Sequence, residues 1–140
     1  MSILTNSYCG LAGIRAQIEC WLRDRSISGC DLKRIDTYPF YVIDVIDTNV
    51  FLSGYLNEAL PDYIVFNEII GGSFVASFSG FTSMKGFPRK IGKNFDISFS
   101  RIHSLDYAPE LVDMNFSACG LHFTKEQIQS KTKVTCHIYN

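Results

Sequence analysis

From Ile35 to Met84 the chain has no lysine and no arginine, although Asp36, Asp44, Asp47, Glu58, Asp62 and Glu68 all fall there. That absence makes the stretch a purely acidic block, and a formal net charge of −1 excludes general attraction to nucleic acid or membrane. No run of 18 uninterrupted apolar residues occurs, so no membrane-spanning helix is expected. The first residues lack a cationic stretch leading into an apolar core, and no secretory signal is expected either. Paired cysteines are missing too. Cys9, Cys20, Cys30, Cys119 and Cys136 make an odd count of five without a C-x-x-C pair, which favours free thiols in a reducing cytosol over a disulfide framework. The composition is that of one globular domain, somewhat poor in charge and rich in Phe and Tyr.

What is there is self-similarity. Phe81-x-x-Met84-x-x-Phe87-Pro88-x-x-Ile91 matches Ile102-x-x-Leu105-x-x-Ala108-Pro109-x-x-Val112 at every apolar position, with 21 residues from Pro88 to Pro109. The segment Leu32-x-x-Ile35-x-x-Tyr38-Pro39-x-x-Val42 has the same spacing. A period in this range marks a solenoid or related array. Because sequence blocks become spatial blocks in such a fold, the acidic stretch and the basic one after it (Lys85, Arg89, Lys90, Lys93, Arg101) predict a molecule that is electrically bipolar along its axis.

A strand template fits Phe74, Ala76, Ser79, Phe81 and then Phe95, Ile97, Ser100, Ile102. A third copy reads Met114, Phe116, Cys119, Leu121 if it is two residues shorter, and partial fits lie at Ile27, Cys30, Leu32 and at Ile43, Val45, Thr48, Val50. Alternate apolar residues of a short strand enter a core. The small polar residue or cysteine that follows can satisfy backbone groups freed by the turn. Pro39, Pro61, Pro88 and Pro109 suit an extended return path, since proline donates no hydrogen bond and disfavours helix before it. The 27 residues from Pro61 to Pro88 leave 62–72 to hold an additional strand or a bulged loop, turning at Gly71-Gly72.

The ends read differently. Leu11, Ile14, Ile18, Trp21 and Leu22 predict an amphipathic helix over Leu11 to Arg25, with Trp21 buried and Glu19 paired with Arg23. Such a helix would shield the first rung. Thr124-x-x-Gln127 is a capping-box pattern that predicts a helix from Lys125 to Ser130. Lys131 to Tyr139 then alternates as a strand with Val134, Cys136 and Ile138 on one face.

No chemistry announces itself. Cys119-x-x-His122 with Cys136-His137 offers four zinc ligands on paper, but Cys119 belongs to the repeat and Cys136 and His137 face opposite sides of a strand. His103 stands apart from them. No motif selects a thiol and imidazole as a nucleophile pair, and Asp44 with Asp47 reads as solvated strand-edge charge. Phosphate-loop, H-E-x-x-H and G-x-S-x-G motifs are absent. The basic run is interleaved with Phe87, Phe95 and Phe99, as in single-strand nucleic-acid platforms, yet the strand register turns Phe95 and Phe99 inward.

The template resembles leucine-rich repeats, with Cys30 and Cys119 at the Asn/Cys position and Thr48, Ser79 and Ser100 as variants of it. The segment from Ser83 to Gly92 is similar to short phage and bacterial members. Leucines are largely replaced by Phe, Ile and Val, and the asparagine ladder is absent. The resemblance implies an irregular α/β solenoid with parallel strands: an N-terminal helical cap over 1–26, repeats over 27–123, and a C-terminal helix–strand cap over 124–140. The lack of catalytic motifs makes a non-enzymatic module without cofactor or metal the expectation, and the resemblance implies that it binds another protein, as a stoichiometric binder or inhibitor encoded by a phage and acting in the host cytoplasm. The expected surface is the outward strand face: Val75 and Ser77, Asp96 and Ser98, Asn115 and Ser117, all small. The alternatives are nucleic-acid binding through Lys85, Arg89, Lys90, Lys93 and Arg101, and a small thiol or zinc enzyme.

Overall fold

A computed structural model of the chain describes residues 10–140. Cys9 and all but the last residue of the lead-in Met1 to Gly10 lie outside them. Helix α1 (Leu11–Asp24) precedes strands β1 (Cys30–Arg34), β2 (Tyr41–Val45), β3 (Val50–Phe51), β4 (Phe66–Ile69), β5 (Phe74–Val75), β6 (Lys90–Ile91), β7 (Phe95–Asp96), β8 (Leu111–Val112) and β9 (Phe116–Ser117). Helix α2 (Lys125–Gln129), β10 (Lys133–Val134) and β11 (Ile138–Tyr139) follow. The strands form two sheets. The first is ordered β1-β2-β4-β6-β8-β10, the second β3-β5-β7-β9-β11, and every pair except β1–β2 is parallel. Each rung therefore contributes one short strand to each sheet, and the chain returns by a loop. The fold is a β-solenoid of about four turns.

The second sheet carries the core column. Val50, Phe74, Phe95, Phe116 and Ile138 are register partners, and the first four are fully buried. Phe95 meets Phe74 at 6.0 Å and Phe116 at 5.0 Å between ring centroids, while Phe87 from the return path reaches Phe74 at 4.9 Å. Full burial of each such side chain is worth about 1.5–3 kcal/mol. The third copy thus keeps the full 21-residue period: Phe116 takes the column position expected of Met114, which is exposed, and Cys119 follows Ser98 rather than Ser100.

The corner between the sheets is tied by a polar ladder one residue ahead of each second-sheet strand. Ser73 N–H donates to Asn49 Oδ1 (2.8 Å), Asn94 N–H to Ser73 Oγ (3.0 Å), Asn115 N–H to Asn94 Oδ1 (3.1 Å) and His137 N–H to Asn115 Oδ1 (3.0 Å). An asparagine ladder is therefore present, displaced from where the leucine-rich consensus puts it. The turns leave no room at that corner: a Cβ on Gly72 would lie 2.1 Å from the Thr48 carbonyl oxygen, and one on Gly92 would lie 2.2 Å from that of Ile70.

The first unit departs from the period. Leu32 to Val42 is not a coil but part of the antiparallel hairpin β1–β2, in which Lys33 pairs with Val42 and Cys30 with Val45. Within 62–72 there is no extra strand. Instead β4 is longer, and its register against β2 shifts so that Asn67 is the unpaired residue between Phe66 and Glu68. The hairpin buries Asp44, contrary to its reading as a solvated charge. Lys33 Nζ lies 3.2 Å from its carboxylate, and Asn67 Nδ2 and Glu68 N–H donate to it at 2.9 and 3.1 Å.

At the N-terminal end α1 buries Ile14, Ile18, Trp21 and Leu22, and Trp21 sets its edge against Tyr55 and Phe66. Glu19 pairs with Arg15 at 3.4 Å instead of with Arg23. At the other end the capping box is formed, with Thr124 Oγ1 accepting from Gln127 N–H and Gln127 Oε1 accepting from Thr124 N–H. The alternating stretch beyond it is two strands, one in each sheet, because Thr135 to His137 turns the same corner as the earlier rungs. Helix α2 occupies the return path, and β10 and β11 add a fifth rung that covers Phe116.

Candidate functional site

Along the second sheet, the outward column of register partners is Phe51, Val75, Asp96, Ser117 and Tyr139. Three expected residues, Val75, Asp96 and Ser117, are thereby brought side by side and half-buried. The column is not made only of small groups, because Phe51 and Tyr139 stand exposed at its ends. Ser77 and Ser98 are buried: Ser77 Oγ lies 3.0 Å from Ser53 Oγ, and Ser98 Oγ accepts Cys119 N–H at 3.0 Å. Asn115 belongs to the corner ladder, one residue before the strand. Asp96 is the only charged residue within the five strands of this sheet, and its Oδ1 accepts Ser98 N–H at 2.8 Å.

Phe99 does not point inward. After Ile97 the alternation is broken by a left-handed turn, with φ of 51° at Phe78 and 56° at Phe99, and both side chains swing out. They stand 69% and 53% exposed and stack at 4.9 Å with 21° between planes. A left-handed backbone at a residue other than glycine costs on the order of 1–3 kcal/mol. The stack returns roughly 0.5–1.5 kcal/mol of that. The signal was in the sequence: Gly54 and Gly120 occupy the same position in the flanking rungs, also left-handed, and mark the turn.

The five basic residues are all exposed but dispersed around the third rung and not gathered on one face. Lys85 is on the return path, Arg89 and Lys90 belong to the first sheet, Lys93 is at the corner and Arg101 follows the second sheet. Arg89 is committed, donating to Asn67 Oδ1 at 3.1 Å and to Glu110 at 2.9 Å, and Lys90 faces Glu68 in the ladder. Lys85 and Arg89 also border a cleft of about 430 Å³ floored by Val65, Phe87 and Ala108.

Cys20, Cys30, Cys119 and Cys136 are free thiols, and burial pushes the Cys30 thiol up, away from the reactive thiolate. Among the described residues no three of His, Cys, Asp and Glu gather as metal ligands, and no helix is long and apolar enough to cross a membrane. Comparison with protein-family models, with curated proteins and with solved structures gave no match.

Proposed function

We propose that this chain is a stoichiometric protein binder or inhibitor, leucine-rich-repeat-like in kind, that takes its partner on the outward face of the second sheet. One observation carries the reading: Phe51, Phe78, Phe99 and Tyr139 stand exposed on and beside that face, where a globular protein without a partner leaves costly apolar surface in water. Asp96 supplies a single charge in the middle and the rest is small and polar, an arrangement of aromatic anchors and neutral surroundings common at interface cores. Affinity capture from the source cells tests it, with the partner identified by mass spectrometry. Val75→Arg with Ser117→Arg is expected to abolish recovery, while Leu111→Arg on the first sheet leaves it intact. Undiminished recovery with the double substitution overturns the reading.

A second reading, single-stranded nucleic acid, gains from the exposure of Phe99 two residues before Arg101. It loses from the dispersal of the other cations. It predicts binding that weakens steeply between two salt concentrations in a gel-shift assay and vanishes when Lys85, Arg89, Lys90 and Lys93 are neutralised.

A further inference from the structure

Rungs one and five are finished differently. At rung one the inward residues Val45 and Val50 are fully buried, and at that end α1 adds the buried side chains of Ile14, Ile18, Trp21 and Leu22. At rung five their register counterparts Val134 and Ile138 are only half-buried, and among the described residues no strand pairs with the outer edge of β10 or β11. Lys133 and Thr135 donate their N–H groups to the Glu110 and Val112 carbonyls, while the His137 and Tyr139 carbonyls accept from Phe116 and Ala118. Alternation along each strand then directs both the N–H and the C=O of Val134 and of Ile138 away from rung four, onto the free edge.

That edge is symmetrical about Cys136. Val134 stands two residues before it and Ile138 two residues after, each at the corner end of a two-residue strand. We propose that a second copy of this chain closes the edge: two fifth rungs meet about a two-fold axis through the corner at Cys136, with β10 of each pairing antiparallel to β11 of the other. Val134 then lies opposite Ile138 of the second copy, and the two exchange the four backbone groups left free. Lys133 falls opposite Tyr139 of the second copy as the non-hydrogen-bonded pair, which suits it because the backbone groups of both are already used toward rung four. The alternation that an antiparallel ladder demands is therefore met at both positions. Faces agree as well. The half-buried Val134 and Ile138 cover one another, and each exposed lysine meets a tyrosine ring instead of a second lysine. One patch serves both copies, as an isologous interface requires. Rung one cannot take the same role, since its inward residues are covered and β1 closes its first sheet with an antiparallel strand, so the assembly stops at two.

Sedimentation equilibrium of the whole chain tests this. A reversible dimer of twice the 15.8 kDa chain mass is expected. Tyr139→Lys sets a lysine against Lys133 at both ends of the interface and is expected to weaken the dimer about tenfold with the circular dichroism unchanged. Adding Lys133→Glu to it turns each repulsion into a Glu–Lys pair between copies and is expected to restore the parent affinity. The dimer does not depend on the protein-binding reading, and Val75→Arg with Ser117→Arg should leave it intact. A monomer's mass at every concentration up to about 1 mM, a mass that climbs past two copies, a dimer indifferent to Tyr139→Lys, or a double variant no tighter than Tyr139→Lys alone overturns the proposal.

Discussion

Phe95→Ala tests the stack where it is most connected. Phe95 is fully buried on the third of five rungs, and its ring meets those of Phe74, Phe87 and Phe116 at 6.0, 6.2 and 5.0 Å. Truncating a buried phenylalanine costs about 3–5 kcal/mol through lost transfer energy and the cavity left behind. Three aromatic partners, each worth roughly 0.5–1.5 kcal/mol beyond area, put this site at the upper end. The loss also falls between rungs that support each other only through nearest neighbours, so it weakens the coupling of both halves. Ile138→Ala is the reference: it lies in the same column on the last rung, is half-buried, and should cost about 1–2 kcal/mol. Urea unfolding followed by circular dichroism reads both. With a slope of about 2 kcal/mol/M, Phe95→Ala should lower the midpoint by about 2 M and Ile138→Ala by less than about 1 M. Equal midpoints for the two variants would refute the column as the source of stability.

Other outcomes follow from single contacts. Asn94→Ala removes the acceptor for Asn115 N–H from the corner ladder and should cost about 1–3 kcal/mol, seen as lost amide protection at Asn115 in hydrogen exchange. Gly92→Ala drives a Cβ onto the Ile70 carbonyl and should cost about 1–3 kcal/mol or more, measured as a lower thermal midpoint. Asp44→Ala leaves Asn67 Nδ2 and Glu68 N–H without their carboxylate and should cost about 2–3 kcal/mol in urea titration, although Lys33 simply returns to water.

Stability should also fall in alkali. Hydrogen bonding to and the charge of Asp44 raise Lys33 above its ordinary 10.5, and burial raises Tyr63 above 10.0 and Cys30 above 9.0. A folded-state value above the unfolded one means that the folded chain holds the proton more tightly. The contribution is full below the ordinary value and is lost as pH rises through the folded value. Thermal midpoints should decline from about pH 9 upward, and Cys30→Ser, Tyr63→Phe or Lys33→Gln should each flatten the decline.

The solenoid was legible because each rung repeats the same demand. Phe74 and Phe95 sit 21 residues apart with prolines in step, and their strands stack as that spacing requires. The third copy slipped by two residues because Cys119 suits a buried serine position as well as the consensus cysteine, and Met114 is apolar enough to pass for a column member. The hairpin escaped notice because the spacing from Leu32 to Val42 says nothing about strand direction. Outward aromatics were misread at Phe99 because alternation holds only until the backbone turns left-handed, a change betrayed by aligned glycines rather than by hydrophobicity. The corner ladder was hidden in plain composition: Asn49, Ser73, Asn94 and Asn115 are unremarkable alone and meaningful only once the rungs are superposed.

The ladder restricts how such a molecule can change length. It fixes the spacing of the rungs and not the length of each circuit, because the chain of corner acceptors passes unbroken from corners spanning 46–49 and 70–73 to shorter ones spanning 92–94 and 113–115. Variation in length is spread around the circuit: the corner shortens by one residue after rung two, β4 of the first sheet carries the unpaired Asn67, and α2 replaces a return loop before the fifth rung. The storeys can therefore differ in circumference while their height stays constant, and the spacing of anything displayed on the second sheet is inherited unchanged.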